Sequence, residues 1–336
     1  MKFYLNRFVL LFTFTAFLYG VVGDWVSYGS RLDLTHLYVK DKTIYAASPG
    51  GLLSFNINTE QFDVTTNTGF LEHIDLLTYF INEDGSQWFS YGSGARGISV
   101  LYIDETLSFY DFGFQDVCAF TGNNEHVLAV YKDDFTPEIA HFVKRNNRYV
   151  FQDIYNQFPN DPQKLYDIAV KGDSIYLASD RGLISAYLYD ANLKPLSAWN
   201  ILIPEDSVSI VSLSVFGDSL FFANDNNEIF LYFNGVAERI LEFQNDPLTF
   251  YSDGDDLYYA SNKKVYNVIS EEIIYNSPDE LKGFCVLNDT LWIAPTNKGI
   301  ARIILENGEK TSYIPNSMLN MPSSALAITP DRKLAV

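Results

Sequence analysis

A short apolar phrase recurs along almost the whole chain. It reads TIYAAS (Thr43–Ser48), QWFSYG (Gln87–Gly92), HVLAVY (His126–Tyr131), SIYLAS (Ser174–Ser179), SLFFAN (Ser219–Asn224), DLYYAS (Asp256–Ser261) and TLWIAP (Thr290–Pro295). Aligned on Ile44, Gln87, Val127, Ile175, Leu220, Leu257 and Leu291, successive copies lie 34 to 48 residues apart, and an eighth begins at Lys333. A period near 40 residues built from strand-length apolar runs restricts a chain to radial or stacked repeat architectures.

Each unit reads as four strands. A short apolar strand comes first, such as Leu76 to Ile81, Ile168 to Val170, Ser212 to Val215 or Phe284 to Val286. A Gly/Asp/Asn turn leads into the phrase, because these residues tolerate the positive φ of tight hairpins. A third strand opens on Gly-Leu or Gly-Ile at Gly51, Gly97, Gly182 and Gly299, and a more polar fourth strand closes the unit, as in Gln61 to Thr65, Leu107 to Tyr110 and Lys310 to Ile314.

The phrase carries the packing information. Its second position is Tyr45, Trp88, Leu128, Tyr176, Phe221, Tyr258 and Trp292, and two residues on stand Ala47, Ser90, Val130, Ala178, Ala223, Ala260 and Ala294. Strand side chains alternate between faces, so one face sets large rings beside small residues while the other is aliphatic. A strand apolar on both faces, with a wet fourth strand outside it, is what radially stacked sheets require. We therefore expect an all-β, seven-bladed β-propeller of four-stranded antiparallel blades, with Tyr45, Trp88, Tyr176, Phe221, Tyr258 and Trp292 as its blade core.

The expected organisation is a signal peptide at 1–23, the propeller at 24–317, and at 318–336 the start of a further blade or of a second propeller. An eight-bladed ring, cut short at Val336, is the alternative count. Residues Trp25 to Tyr28 resemble a fourth strand placed ahead of its own blade, which would pair with the last blade and join the chain's two ends. The leader is read from Lys2 and Arg7 followed by an uncharged run from Phe8 to Val22, with cleavage expected just before Asp24. That run is short of the ~20 apolar residues needed to span a bilayer, and no later segment is long enough. The mature protein is thus expected to be exported, to the periplasm or the cell surface, and not membrane-spanning.

Formal net charge is −19 over the whole chain. Such a field repels nucleic acid and anionic membrane, which leaves a protein or glycan as the expected partner. Cys118 and Cys285 fall in the first strands of different repeats, too far apart to meet, so two buried free thiols are expected.

The sequence contains no HExxH, G-x-S-x-G, P-loop or paired CxxC signature. His36, His73, His126 and His141 lack metal-ligand spacing and read as structural, so neither a metal site nor a cofactor is expected. The turn Glu83-Asp84-Gly85-Ser86-Gln87-Trp88 invites comparison with an Asp-box hairpin, S-x-D-x-G-x-T-W, with Glu83 at the Asp position. No catalytic residue is expected. A propeller glycoside hydrolase or lyase would need a carboxylate pair at one channel mouth.

In a propeller, the turns between second and third strands share one face with the connections between blades. Here those turns carry Arg96, Asp133, Asp180, Arg181, Asp225, Lys263 and Lys298, which makes them the candidate ligand-binding residues. Their cations would concentrate positive charge at the mouth of an acidic body and draw an anionic glycan or a carboxylate. The plain alternative is that turn residues are polar because turns are exposed.

The seventh unit, DTLWIAPTNKGIARIILENGEKTSYIPN (Asp289–Asn316), resembles the bacterial two-component-regulator propeller repeat, a turn followed by L-W-I-G-T, a Gly-Leu/Ile strand and an aromatic fourth strand. The first two units are similar but looser. The third, with Glu138-Ile139 in place of Gly-Ile, and the sixth, with Lys264-Val265, depart from the pattern. The early start and the run into a further repeat resemble the N-terminal propellers of PorZ-type components of the type IX secretion system. The resemblance implies export and the binding of a ligand or partner, either as a secretion component or as the periplasmic sensor of a hybrid histidine kinase. It carries over no catalytic residue.

Overall fold

The computed structural model describes residues 29–92, 95–133, 136–204 and 208–317, together with the backbone of two short strands near the C-terminus. The expected leader at 1–23 and the closing strand at Trp25 to Tyr28 lie outside the described residues. Seven four-stranded antiparallel sheets follow one another, each from a contiguous stretch of chain and each in the spatial order of its sequence. We number them as blades 1 to 7: Thr35–Thr65, Leu76–Tyr110, Gln115–Tyr155, Leu165–Ile203, Ile210–Glu242, Pro247–Asn276 and Leu281–Tyr313.

Seven hydrophobic clusters occupy the seven seams between neighbouring blades, and the last unites Leu37, Ile44, Ala46 and Phe55 of blade 1 with Cys285, Trp292 and Ala294 of blade 7. The ring is therefore closed at seven, and the eight-bladed count is set aside. Blade 7 already has four strands of its own. The two ends of the chain also bond to each other there: Arg31 N–H donates to Ser317 Oγ at 2.7 Å, and Gly299 N–H of blade 7 donates to Leu32 C=O at 3.2 Å. Strands Ala327–Ile328 and Leu334–Ala335 pair with each other as a separate two-stranded sheet.

The second strand of each blade obeys one rule. Trp88, Leu128, Tyr176, Phe221, Tyr258 and Trp292 all face the seam with the following blade, beside the small or short residue two positions on. The intervening residues, such as Ile175 with Leu177 and Leu291 with Ile293, face the preceding blade. Large rings over small neighbours let two sheets approach without voids. Two of the six expected core rings differ from expectation. Tyr45 and Tyr176 are half-buried, whereas Trp88, Phe221, Tyr258 and Trp292 are buried. Both tyrosines still pack against their seams, as a phenol can with one end left wet.

The glycine that opens the third strand has a local cause. Gly51 and Gly182 have φ of +114° and +102°, and a Cβ on either would overlap the carbonyl oxygen of the fourth strand, Thr65 or Ile203. Blade 3 lacks that glycine because its middle hairpin does not turn there. Strands His126–Asp133 and Thr136–Arg145 continue past the level where the other blades turn. Glu138, buried in that extension, accepts from Tyr131 Oη and from Asn156 Nδ2.

The Asp-box comparison holds with a shifted residue. Asp84, not Glu83, organises the turn: its Oδ1 accepts from Ser86 N–H and Oγ, and Ser86 Oγ in turn accepts from Trp88 Nε1 at 3.1 Å. Burial alone would raise the Asp84 carboxyl, but Lys144 Nζ at 2.6 Å, Ser86 and Tyr149 hold it down to about 2. The turn is a staple between blades 2 and 3.

Candidate functional site

In every blade the pairing between first and second strands slips once near the same end, at the strand start. The extra residue is Leu77, Tyr166, Val211, Leu248 or Lys282 in five blades. In blades 1 and 3 the irregularity holds His36 and Asp116, each with φ near +50°. A bulge kinks its strand and re-aims the side chains around it. Seven bulges at one level therefore ring the axis with side chains that regular pleating would have divided between the seams.

The inner strands enclose a cavity of about 380 Å³ to which all seven blades contribute. That volume lies in the range of small-molecule sites, about 300–1,000 Å³. Aromatic side chains line much of it, including Tyr38, Phe120, Tyr166, Phe250 and Tyr251, interspersed with the hydroxyls of Thr35 and Thr249. Its charged residues are Lys282 of blade 7 and Asp167 of blade 4. Lys282 is exposed and forms no ion pair among the described residues. Beside it at the seam of blades 7 and 1 lies His36, whose buried Nδ1 has no hydrogen-bond partner and whose pKa burial lowers to about 4.

Asp167 ties blade 4 to blade 5. Its Oδ2 accepts from Leu213 N–H at 2.8 Å and Ser212 Oγ at 3.3 Å, and its Oδ1 from Ile168 N–H at 2.8 Å. Burial pushes its carboxyl up to about 6, against the opposing pull of those donors. Burial and the Asp167 charge together raise the Tyr38 phenol. Cys118 corrects the expectation of two buried thiols. Cys285 is buried, but Cys118 sits on the bulged strand of blade 3 and opens to the channel. Crowding and nearby Asp167 still push its thiol up to about 12.

The seven residues singled out from the sequence all belong to the face at which the bulges lie, but none lines the cavity. They are distributed one or two to a blade over blades 2 to 7 rather than gathered. Asp180 Oδ1 accepts from Gln163 and Lys164 N–H at 3.0 Å, and Asp225 Oδ1 from Ser209 N–H at 3.2 Å, so both fasten their turn to the incoming connection. Lys298 pairs with Asp279 at 2.7 Å, and the Arg96 guanidinium lies against the Gln115 side-chain amide. Arg181 and Lys263 are exposed at the rim, and the Asp133 side chain lies outside the described residues. The apolar pattern marks the first strands of blades 4, 5 and 7 only from Ile168, Ser212 and Phe284 onward, after their bulges, which leaves the inner-strand residues ahead of them out of view. A signal was present: Asp167 and Lys282 interrupt otherwise apolar strands, in Leu165-Tyr166-Asp167-Ile168 and Leu281-Lys282-Gly283-Phe284.

His126 and His141 form a stacked pair, Nδ1 to Nε2 at 2.8 Å, extended by Tyr155 Oη on His141 Nδ1 at 2.8 Å. His73 packs edge-on to Tyr91. Among the described residues no three His, Cys, Asp or Glu side chains converge as metal ligands, and no helix is long and apolar enough to cross a membrane.

A closed ring of radial sheets around a lined channel defines the class: a seven-bladed β-propeller. No protein-family profile and no curated protein matches the chain. Solved structures of similar fold include PorZ, a surface component of the type IX secretion system of Porphyromonas gingivalis, with 16% identity and a TM-score of 0.63 over 89% of this chain and 39% of that one. The extracellular domain of the BT4673 hybrid two-component system of B. thetaiotaomicron gives 15% identity and a TM-score of 0.58, over 82% of this chain and 38% of that one. Saccharomyces cerevisiae Sqt1 gives 9% identity and a TM-score of 0.56, over 86% of both chains. The chain spans about two-fifths of the first two proteins, and at these identities the likeness is one of fold.

Proposed function

We propose that this chain is an exported, non-catalytic β-propeller that recognises an envelope glycan or a protein partner at the bulged mouth of its channel. The observation that carries the reading is the cavity itself, where seven bulged strands direct aromatic rings, hydroxyls and the lysine of blade 7 to one place. Rings, hydroxyls and a lysine without an ion pair among the described residues, gathered about one cavity, are the elements of a small-molecule or terminal-residue site. Arg181 and Lys263 at the rim would extend the same positive charge outward, against an acidic body. Export rests on the leader pattern at 1–23, and is supported by the surface and extracellular settings of two similar structures.

A second reading, the ligand-sensing propeller of a two-component system, draws on the likeness to BT4673 and uses the same mouth. The test is a glycan array followed by calorimetric titration of hits with wild type, Lys282→Ala and Arg181→Ala. Loss of at least tenfold in affinity for Lys282→Ala supports a channel-mouth site, by more than about 1.4 kcal/mol. Hits whose affinity neither substitution changes would remove it.

A further inference from the structure

The opposite face carries a separate surface, independent of the channel mouth. In each blade the hairpins between first and second strands and between third and fourth strands emerge there, and the third-to-fourth tips form its outer rim. In blades 1, 3 and 7 those tips are polar: Asn58-Thr59-Glu60, Asn146-Asn147 and Glu306-Asn307-Gly308-Glu309. Blade 2 exposes one apolar side chain at its tip, Ile103, between the polar tips of blades 1 and 3, whereas blades 4, 5 and 6, three neighbours in the ring, carry apolar tips in succession. Tyr187, Tyr189 and Leu196 flank the tip of blade 4, Phe233 and Val236 bracket the Asn234-Gly235 turn of blade 5, and Ile269 stands in the turn of blade 6. These side chains are 44 to 66% exposed.

A hairpin tip has no folding reason to be apolar, as the polar tips of blades 1, 3 and 7 demonstrate. Clustered exposed apolar side chains in a soluble face mark interaction sites. The turns of the same three blades also carry Asp173, Asp218, Asp255 and Glu271, all exposed and none in an ion pair among the described residues. Of the cations there, Lys194 beside the blade 4 tip is already bound to Asp153 at 2.8 Å, and Lys171, next to Asp173, is half-buried. The surface is therefore apolar at its tips and negative between them.

We propose that this crescent docks a basic protein partner, one that presents apolar side chains flanked by lysines or arginines. Charge selects that occupant. A second copy of this chain brings its own net charge of −19 and is repelled, as is an anionic bilayer. Docking there leaves the channel mouth open, so one propeller would hold a ligand on one face and a protein on the other.

The probe is a synthetic amphipathic peptide of leucine and lysine, titrated by fluorescence anisotropy at physiological salt. Wild type is compared with Phe233→Ser/Val236→Ser, with Leu196→Ser, and with Asn307→Ser on the polar rim of blade 7. Thermal unfolding verifies that each variant folds, as exposed tip positions should. The expected result is about tenfold weaker binding for the double variant, weaker binding for Leu196→Ser and no change for Asn307→Ser. Hydrogen exchange should show peptide-dependent protection at 187–198 and 233–236. Equal binding by all four proteins would overturn the proposal. So would sedimentation showing a wild-type dimer that the double variant abolishes, or crescent-dependent binding to anionic vesicles.

Discussion

Trp292 offers the sharpest test of how the ring is held. Its indole is 2% exposed at the seam of blades 7 and 1, with ring centroids 5.6 Å from Phe55 and 6.0 Å from Tyr313. Burying such a ring removes about 200 Å² from water, about 5 kcal/mol at 25 cal/mol/Å². Alanine keeps a small part of that, and a compact unfolded chain lowers the reference, so Trp292→Ala should cost about 3–5 kcal/mol. The seam cannot collapse to recover it, because Ala46 across the seam and Ala294 beside the indole are too small to fill the space and their backbones are fixed in separate ladders. Urea unfolding followed by far-UV circular dichroism measures the loss, with Tyr45→Ala as the half-buried comparison, expected to lose less than half as much. Equal losses in the two variants, or a loss under about 1 kcal/mol for Trp292→Ala, would refute the argument that buried rings clamp one blade to the next.

Gly182→Ala should destabilise by about 2 kcal/mol or more, read in the same unfolding assay, since it adds a Cβ against Ile203 C=O at a left-handed φ. Asp167 has its pKa raised by folding to about 6, so its contribution is complete below about pH 4 and is lost as pH rises through 6. Asp167→Asn should flatten the thermal midpoint across that window. Asp84 has the opposite sign: held down to about 2, it stabilises above about pH 4 and its contribution is lost as pH falls toward 2. Asp84→Ala should cost about 2–3 kcal/mol near neutral pH and much less near pH 2.

The blade count and the direction of each blade's faces were legible because the second strand is buried on both sides. Burial on both sides forces a strict alternation of large ring, small residue and aliphatic face, which a sequence displays openly. Tyr45 and Tyr176 share that alternation with Trp88 and Trp292, so the pattern alone does not separate a ring that reaches water from one that does not. The channel was harder to read because it is built from the departures from regularity. A bulge inserts one residue without any fixed residue type, and Leu77, Val211 and Leu248 are as apolar as the strands they interrupt. Polarity in a turn marks Asp180 and Asp225 as candidates, yet their carboxylates accept from backbone amides of the neighbouring connection. Motif spacing puts Glu83 at the Asp-box position, one residue away from Asp84, the carboxylate that the hydrogen bonds select.

Closure of the ring between blades 1 and 7 is open to direct chemical measurement. A Cβ at Gly283 would lie 2.9 Å from Leu37 Cδ1 and 3.5 Å from Leu37 N, so the two backbones nearly touch although the residues are far apart in the chain. Leu37→Cys/Gly283→Cys, in a background of Cys118→Ser and Cys285→Ala, frees the space that the leucine filled and places two thiols within disulfide range. Mild oxidation followed by peptide mass mapping should recover an intramolecular 37–283 disulfide in the monomer at high yield. Monomer that stays reduced, or that links only between molecules, would mean that the first and last sheets do not meet.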